Sequence, residues 1–132
     1  MNRTSVIAGI VFIVIAIILG AFGAHALKEK LEIAQLNSFE VGVRYQIYHG
    51  LALLALGLAA NQLSFSLKVF NRMIIIGTLA FSLSIYLLAI KDLIGINVSF
   101  LGPITPIGGS VLIIAWIILL IKIIRTNPKK AV

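Results

Sequence analysis

The chain has 132 residues, is 61% hydrophobic and carries 11 Lys and Arg against 4 Asp and Glu, for a net charge of +7. Its mean hydropathy is +1.14, and its apolar share stands well above the roughly 45–50% of soluble domains. An ordinary water-soluble fold is therefore excluded: so few charges cannot cover a soluble surface, and the bilayer is the expected solvent. The sequence has no cysteine, so disulfides, thiol redox chemistry and cysteine metal sites are excluded too.

In chain order, a short polar start carrying Arg3 precedes a mostly apolar run at residues 5–24. About twenty such residues cross a hydrocarbon core of roughly 30 Å. A secretory signal is the competing reading, because Ala24-His25-Ala26 resembles an A-x-A cleavage site; the run is longer than a usual signal core, so a retained span is expected. Gly9, Ala16, Gly20 and Gly23 fall on one side of this helix, a small-residue stripe that lets another helix approach closely. Residues 26–36 mix Lys28, Glu29, Lys30 and Glu32 with Leu27, Leu31, Ile33 and Leu36 and predict a short amphipathic segment at the interface.

Asn37 followed by Glu40 suits a capping box and predicts a second helix from Ser38 to Ala60, spanning at about 41–60. On its wheel Arg44, Tyr45, Tyr48, His49, Ala52, Ala55, Leu56 and Ala59 share one wedge, which is expected to face the bundle; Ile47, Leu51, Leu54 and Leu58 lie opposite and suit lipid. Lys68 and Arg72 open a third helix, spanning at about 70–90. Gly77, Ala80 and Ser84 make one small face of it, and Thr78, Ser82 and Tyr86 lie on another. After a Gly/Pro-rich loop, Thr105 is expected to cap a fourth helix with Pro106 at its first position and a span at about 106–124. Trp116 falls near the middle of that span, so its indole N–H needs a buried partner and core packing is its expected role.

The charges order these helices across the membrane. Four spans place both termini on one side with Arg3, Lys68, Arg72, Lys122, Arg125, Lys129 and Lys130 and no acid. The other side holds Lys28, Lys30, Arg44 and Lys91 balanced by Glu29, Glu32, Glu40 and Asp92. The positive-inside rule then puts both termini in the cytoplasm. The expectation is a single-domain, all-α membrane protein: a four-span antiparallel transmembrane helical bundle. This placement accounts for the positive charge without nucleic acid, and the basic C-terminal tail can touch anionic headgroups.

Under this topology His25, Arg44, Tyr45, Tyr48, His49, Tyr86, Lys91 and the broken backbone around Thr105 gather toward the extracytoplasmic face. Arg44 can hold a phosphate or carboxylate through two hydrogen bonds, and the two histidines can exchange protons near neutral pH. The plainer alternative pairs Arg44 with Glu40 one turn away and treats the tyrosines as interfacial anchors. Two histidines on separate helices can ligate haem from both sides, but both lie near helix ends, and no cofactor or metal is expected. The spans hold no pair of acidic residues and no Ser–His–acid pattern, so an enzyme is not expected.

Three runs resemble one family: Gly20-Ala21-Phe22-Gly23-Ala24-His25-Ala26-Leu27, Gly42-Val43-Arg44-Tyr45-Gln46-Ile47-Tyr48-His49, and Leu101-Gly102-Pro103-Ile104-Thr105-Pro106-Ile107-Gly108-Gly109. In this order they are similar to the YgdD/YwdK family of small bacterial membrane proteins of unknown function. Residues 81–88 resemble its third-span pattern but carry Leu83 where a glycine is expected. The resemblance implies an integral, multi-pass protein of the bacterial cell membrane, with no established substrate or catalytic residue. Three functions remain in view. The first is a pocket toward the extracytoplasmic face that takes a membrane lipid headgroup or a small anionic amphiphile, with Arg44 as ligand, Tyr45, Tyr48 and His49 orienting it, and His25 and Thr105 lining it. The second is a small transporter or channel component working as a homo-oligomer, since four short helices enclose little space. The third is a structural subunit with a protein partner that the residues do not name.

Overall fold

A computed structural model describes residues 1–126, so Lys129 and Lys130, assigned above to the basic cytoplasmic end, lie outside the described residues. Four helices make up the described chain: α1 at Arg3–Leu27, α2 at Ile33–Ala59, α3 at Lys68–Ile94 and α4 at Ile104–Arg125. There is no strand among the described residues. By length and composition α1, α3 and a Ser99–Arg125 segment containing α4 are apolar enough to cross a membrane. The more polar α2 does not reach that standard.

Asn2 starts α1: its side chain accepts from the Ser5 N–H at 3.1 Å, while its own N–H donates to the Gly57 carbonyl at 2.7 Å. The first bond replaces a missing helical partner, and the second ties the start of α1 to the end of α2. The last turn of α1, Gly23–Leu27, widens to a π turn.

The start of α2 differs from expectation. Glu32 and Gln35 form the capping box, with the Glu32 N–H donating to Gln35 Oε1 at 3.1 Å. Gln35 Nε2 also donates to Asp92 at 2.8 Å, which anchors this box to the end of α3. The helix therefore begins at Ile33, and most of the segment predicted to lie at the interface becomes a turn and a helical start. Asn37 sits inside the helix, and the Ser38 hydroxyl bonds back to the Ala34 carbonyl at 3.0 Å.

Gly95 ends α3 with φ of +66°, the left-handed conformation that glycine adopts without penalty. Thr105 does not cap α4. The N-cap residue is Pro103, and the Thr105 hydroxyl pairs with Ser84 Oγ at 2.7 Å instead. Pro106 lies within the first turn, where a missing N–H leaves no helical bond unmade.

Each helix runs antiparallel to the next. Gly9 of α1 packs on Gly50 and Leu54 of α2, and Gly57 packs on Ser5 and Val6. Gly77 of α3 meets Leu112 of α4, and Gly108 meets the Ala80–Phe81 backbone. Gly42 of α2 packs on Tyr86 of α3. The central pair is α2 and α3, with α1 and α4 lying against it. One core joins Phe12, Leu53, Phe70, Ile74, Leu112 and Ala115 from all four helices. A second, toward the α1–α2 turn, joins Ala16, Leu27, Leu31, Phe39, Val43 and Tyr86. Isoleucines such as Ile7, Ile17, Ile18, Ile113 and Ile124 point outward, as suits a lipid-facing surface.

These approaches set a test. A Cβ at Gly9 would stand 2.6 Å from the Gly50 carbonyl oxygen, and one at Gly108 would stand 2.6 Å from the Phe81 nitrogen. Gly9→Ala and Gly108→Ala each force backbone apart and cost about 1–3 kcal/mol. At Gly109 the nearest atoms are Phe81 ring carbons at 3.5 Å, an ordinary contact, and alanine gains about 0.5–1 kcal/mol in helix propensity. Thermal unfolding in mild detergent should show the first two midpoints falling and that of Gly109→Ala holding or rising.

Candidate functional site

The residues grouped on the α2 wheel part company in the structure. His49 is buried, whereas Arg44 is exposed and Tyr45 and Tyr48 are 42% and 57% exposed. The buried face is Gly42, Val43, Gln46, His49, Gly50, Leu53 and Gly57. The expectation that Arg44, Tyr45 and Tyr48 face the bundle is thus corrected. The glycines at 42, 50 and 57 are the points where α2 meets its neighbours, and that contact turns the wedge about its axis. On the outer side Tyr45 packs on Phe81 with ring centroids 4.9 Å apart and on Tyr48 at 6.0 Å.

Inward, His49 Nδ1–H donates to the Tyr45 carbonyl at 2.7 Å. That leaves Nε2 to accept the indole N–H of Trp116 at 3.3 Å. Trp116 packs edge-on against Phe70 at 5.2 Å, although its other side remains exposed. Neither histidine faces the other. His25 is exposed in the last turn of α1, near the level of Phe39, which packs on Gly23. His49 lies ten residues beyond Phe39, about 15 Å along the helix, so the pair does not sandwich a haem. Thr105 borders a separate groove of about 330 Å³ with Ala34, Gln35, Ser38, Ile85 and Leu88. The structure does not gather the six expected ligand-binding residues into one pocket.

The buried polar centre lies one residue-face away, around Gln46. Its Nε2 donates to the Phe12 carbonyl at 2.9 Å and its Oε1 accepts the Tyr86 hydroxyl at 2.9 Å. Ser82, within the π turn Leu79–Leu83 of α3, donates to the Gly42 carbonyl at 2.9 Å. Such a widened turn rephases the side chains that follow it. Three helices are thereby joined through one glutamine. Thr78 is buried beside this centre, and its hydroxyl oxygen has no hydrogen-bond partner among the described residues. The spacing Gly42–Gln46–Gly50, a polar residue between small ones on one face, carries the sequence signal for Gln46.

This centre borders a cleft of about 170 Å³ between α1 and α3, walled by Phe12, Ile15, Leu19, Leu79 and Leu83. Two further cavities follow the same seam. One of about 230 Å³ lies at the start of both helices, among Asn2, Ser5, Lys68, Asn71 and Arg72. One of about 280 Å³ lies at their far ends, among Phe22, Leu27, Lys30, Ile90 and Ile94. Because α1 and α3 run parallel, the three stand in line from a cationic end through an apolar middle. The small residues assigned to packing sit elsewhere. Gly9, Ala16 and Gly23 are buried, Gly20 is half-buried beside Val43, and Gly77, Ala80 and Ser84 lie on the α4 side of α3.

A family model described as a protein of unknown function, DUF423, matches residues 19–109. The chain belongs to the DUF423 family. Among the DUF423 relatives, a UPF0382 membrane protein of Staphylococcus epidermidis is 38% identical over 123 residues, 93% of this chain and 97% of its own. One from Staphylococcus saprophyticus is 37% identical over 119 residues, 90% and 95% of the two chains. The UPF0382 membrane protein YwdK of Bacillus subtilis is 34% identical over 125 residues, 93% and 98% of the two chains. No solved structure matches this DUF423 chain. With three membrane-length apolar helices and relatives named membrane proteins, it is a multi-pass membrane protein.

Gln46 should couple energetically to Tyr86. Tyr86→Phe leaves a buried amide oxygen without its donor and costs about 1–3 kcal/mol. Gln46→Leu strands the Tyr86 hydroxyl at a similar cost. The double variant should lose less than the two singles combined, as a double-mutant cycle of equilibrium unfolding in detergent would measure.

Proposed function

We propose that the chain is a four-span, non-enzymatic membrane protein with cytoplasmic termini that seats a membrane amphiphile in the seam between α1 and α3. The observation that carries this is the line of three cavities along two parallel helices, with Lys68 and Arg72 at one end, an apolar middle and Lys30 at the other end. The buried, unpartnered Thr78 hydroxyl fits a middle cleft that is not fully packed. In an all-protein core such a gap forfeits dispersion contacts; a hydrocarbon chain restores them. The exposed faces of Ile15, Leu79 and Leu83 open the cleft sideways, the direction from which a lipid arrives. The ligand class is still the lipid expected from the clustered polar residues toward the extracytoplasmic face, but this seat lies away from Arg44.

One observation favours a second reading, a homo-oligomer or a protein partner on α2. Arg44, Tyr45 and Tyr48 are exposed along one side of that helix. Gly50, two residues beyond Tyr48, packs on Gly9 and Phe12 near the middle of α1. Polar groups at that depth are costly against lipid tails, and a second chain covers them.

Two experiments test the proposal. For topology, single cysteines can be placed without background, since the chain has none. Asn97→Cys should react with an impermeant thiol reagent added outside intact cells, whereas Arg3→Cys and Arg125→Cys should react only after lysis; external labelling of all three would end the four-span arrangement. For the seam, native mass spectrometry of detergent-extracted protein should show a phospholipid adduct that Ile15→Trp removes and Ile18→Trp, on the outer face, retains. Absence of any adduct on the wild-type chain would sink the amphiphile reading, and the same spectra count subunits.

A further inference from the structure

The cationic end of the seam has two unmet demands, and together they describe a ligand. Lys68 and Arg72 stand one turn apart in the first turns of α3, both exposed beside the cavity of about 230 Å³. That first turn holds no acidic residue, and a helix start favours negative charge. The site therefore asks for an anion. The second demand comes from Asn71, which lines the same cavity and is 6% exposed. Its Nδ2 donates to Ser5 Oγ, which bridges α3 to α1. Its Oδ1 is buried and accepts nothing from the described residues. Folded proteins keep few such acceptors, because a buried carbonyl without a donor is costly.

A phosphodiester alone answers the first demand and not the second, since it is fully ionised, has no O–H to donate, and its oxygens repel Oδ1. An ammonium alone answers only the second. A ligand with a phosphodiester and, a few atoms away, a hydroxyl or ammonium answers both. We infer that this cavity is the headgroup site of a glycerophospholipid whose headgroup carries a hydrogen-bond donor. The phosphate lies against Lys68 and Arg72, and a turn of the Asn71 amide brings Oδ1, otherwise closed off from the cavity, to the donor. The Asn2, Thr4 and Ser5 end of α1 forms the opposite wall. Thr78 stands seven residues beyond Asn71 on α3, about 10 Å along the axis. That rise is the distance a glycerol backbone and the first methylenes cover, so an acyl chain enters the apolar cleft as the headgroup docks. On the charge pattern of the termini this is the cytoplasmic leaflet.

The inference rests on the seam reading and refines it to one end and one headgroup chemistry. The test uses the full chain in mild detergent with equal amounts of phosphatidylglycerol, phosphatidylethanolamine and phosphatidylcholine of matched acyl chains. The first two carry a hydroxyl or ammonium donor; the third has a phosphate and no donor. Native mass spectra should show the two donor lipids bound about fivefold or more over phosphatidylcholine, the scale of one hydrogen bond. The exposed double variant Lys68→Gln, Arg72→Gln should lower both adducts about tenfold. Arg125→Gln, in the last turn of α4 and outside the cavity, should not. Arg72→Lys should keep most of the binding. Equal adducts for all three lipids, or adducts indifferent to Lys68 and Arg72, would overturn the headgroup site while leaving the seam occupied. Loss of adducts only in Ile15→Trp would overturn the headgroup site equally. No adduct of any lipid on the wild-type chain would overturn the seam reading itself.

Discussion

Inside a bilayer the hydrophobic effect does not hold helices together, because lipid tails are as apolar as leucine. Close backbone contact and buried hydrogen bonds must do so, and here both depend on how α1 meets α2. At Gly9 the two backbones approach so closely that even a methyl group has no room. Gly50 faces Gly9 across the same contact, and Gly57 repeats the approach toward the start of α1. This register brings Gln46 under the Phe12 carbonyl and the Asn2 N–H to the Gly57 carbonyl. Once Gln46 is fixed, its Oε1 fixes Tyr86, and Ser82 reaches the Gly42 carbonyl from the same side. The placement of α3 thus follows from a contact it does not make.

The same constraint explains the seam. Both α1 and α3 are held to α2 rather than to each other, and they meet through a few side chains such as Ser5 and Asn71. Close packing is concentrated in the α1–α2 and α3–α4 pairs, where most of the contacting glycines are, with Gly42 joining α2 to α3. What remains between α1 and α3 is filled by larger side chains that do not interlock fully. Among the described residues, the buried side-chain atoms left without partners are Thr78 Oγ1 and Asn71 Oδ1, and both residues border that seam.

Much of this was legible in the residues. Hydropathy runs located the helices, and the glycines of α1 and α3 marked where neighbours come close. Other features were not legible, for specific reasons. The start of α2 turned on a contest between two capping boxes, Asn37 with Glu40 and Glu32 with Gln35, and a tertiary bond to Asp92 favours the second. The wheel of α2 put Arg44 and the tyrosines inward because polar groups were weighted over glycines. In lipid, the demand of the glycine contact decides the rotation. Thr105 had the right chemistry for a cap, but Ser84 offered it a partner on α3. The π turn in α3 shifts the phase of every later side chain, and a fixed helical period does not foresee it. The seam needs the parallel placement of two helices that are not consecutive, which no local pattern encodes.

The composition of α2 has a consequence for how the chain reaches its place. Of the four helices it alone falls short of the apolarity that suits unaided crossing, since Arg44, Gln46 and His49 lie within it. Its inward polar groups find their partners on neighbours: Gln46 on Phe12, and the helix end on Asn2. Both of those partners belong to α1 or its cap, which are already made when α2 leaves the ribosome. In the proposed four-span arrangement α1 and α2 form one helical hairpin suited to entering the bilayer together, with residues 28–32 as its turn. In the proposed arrangement α1 thus offers α2 its earliest hydrogen-bonding partners, while Tyr86 for Gln46 and Trp116 for His49 come later in the chain.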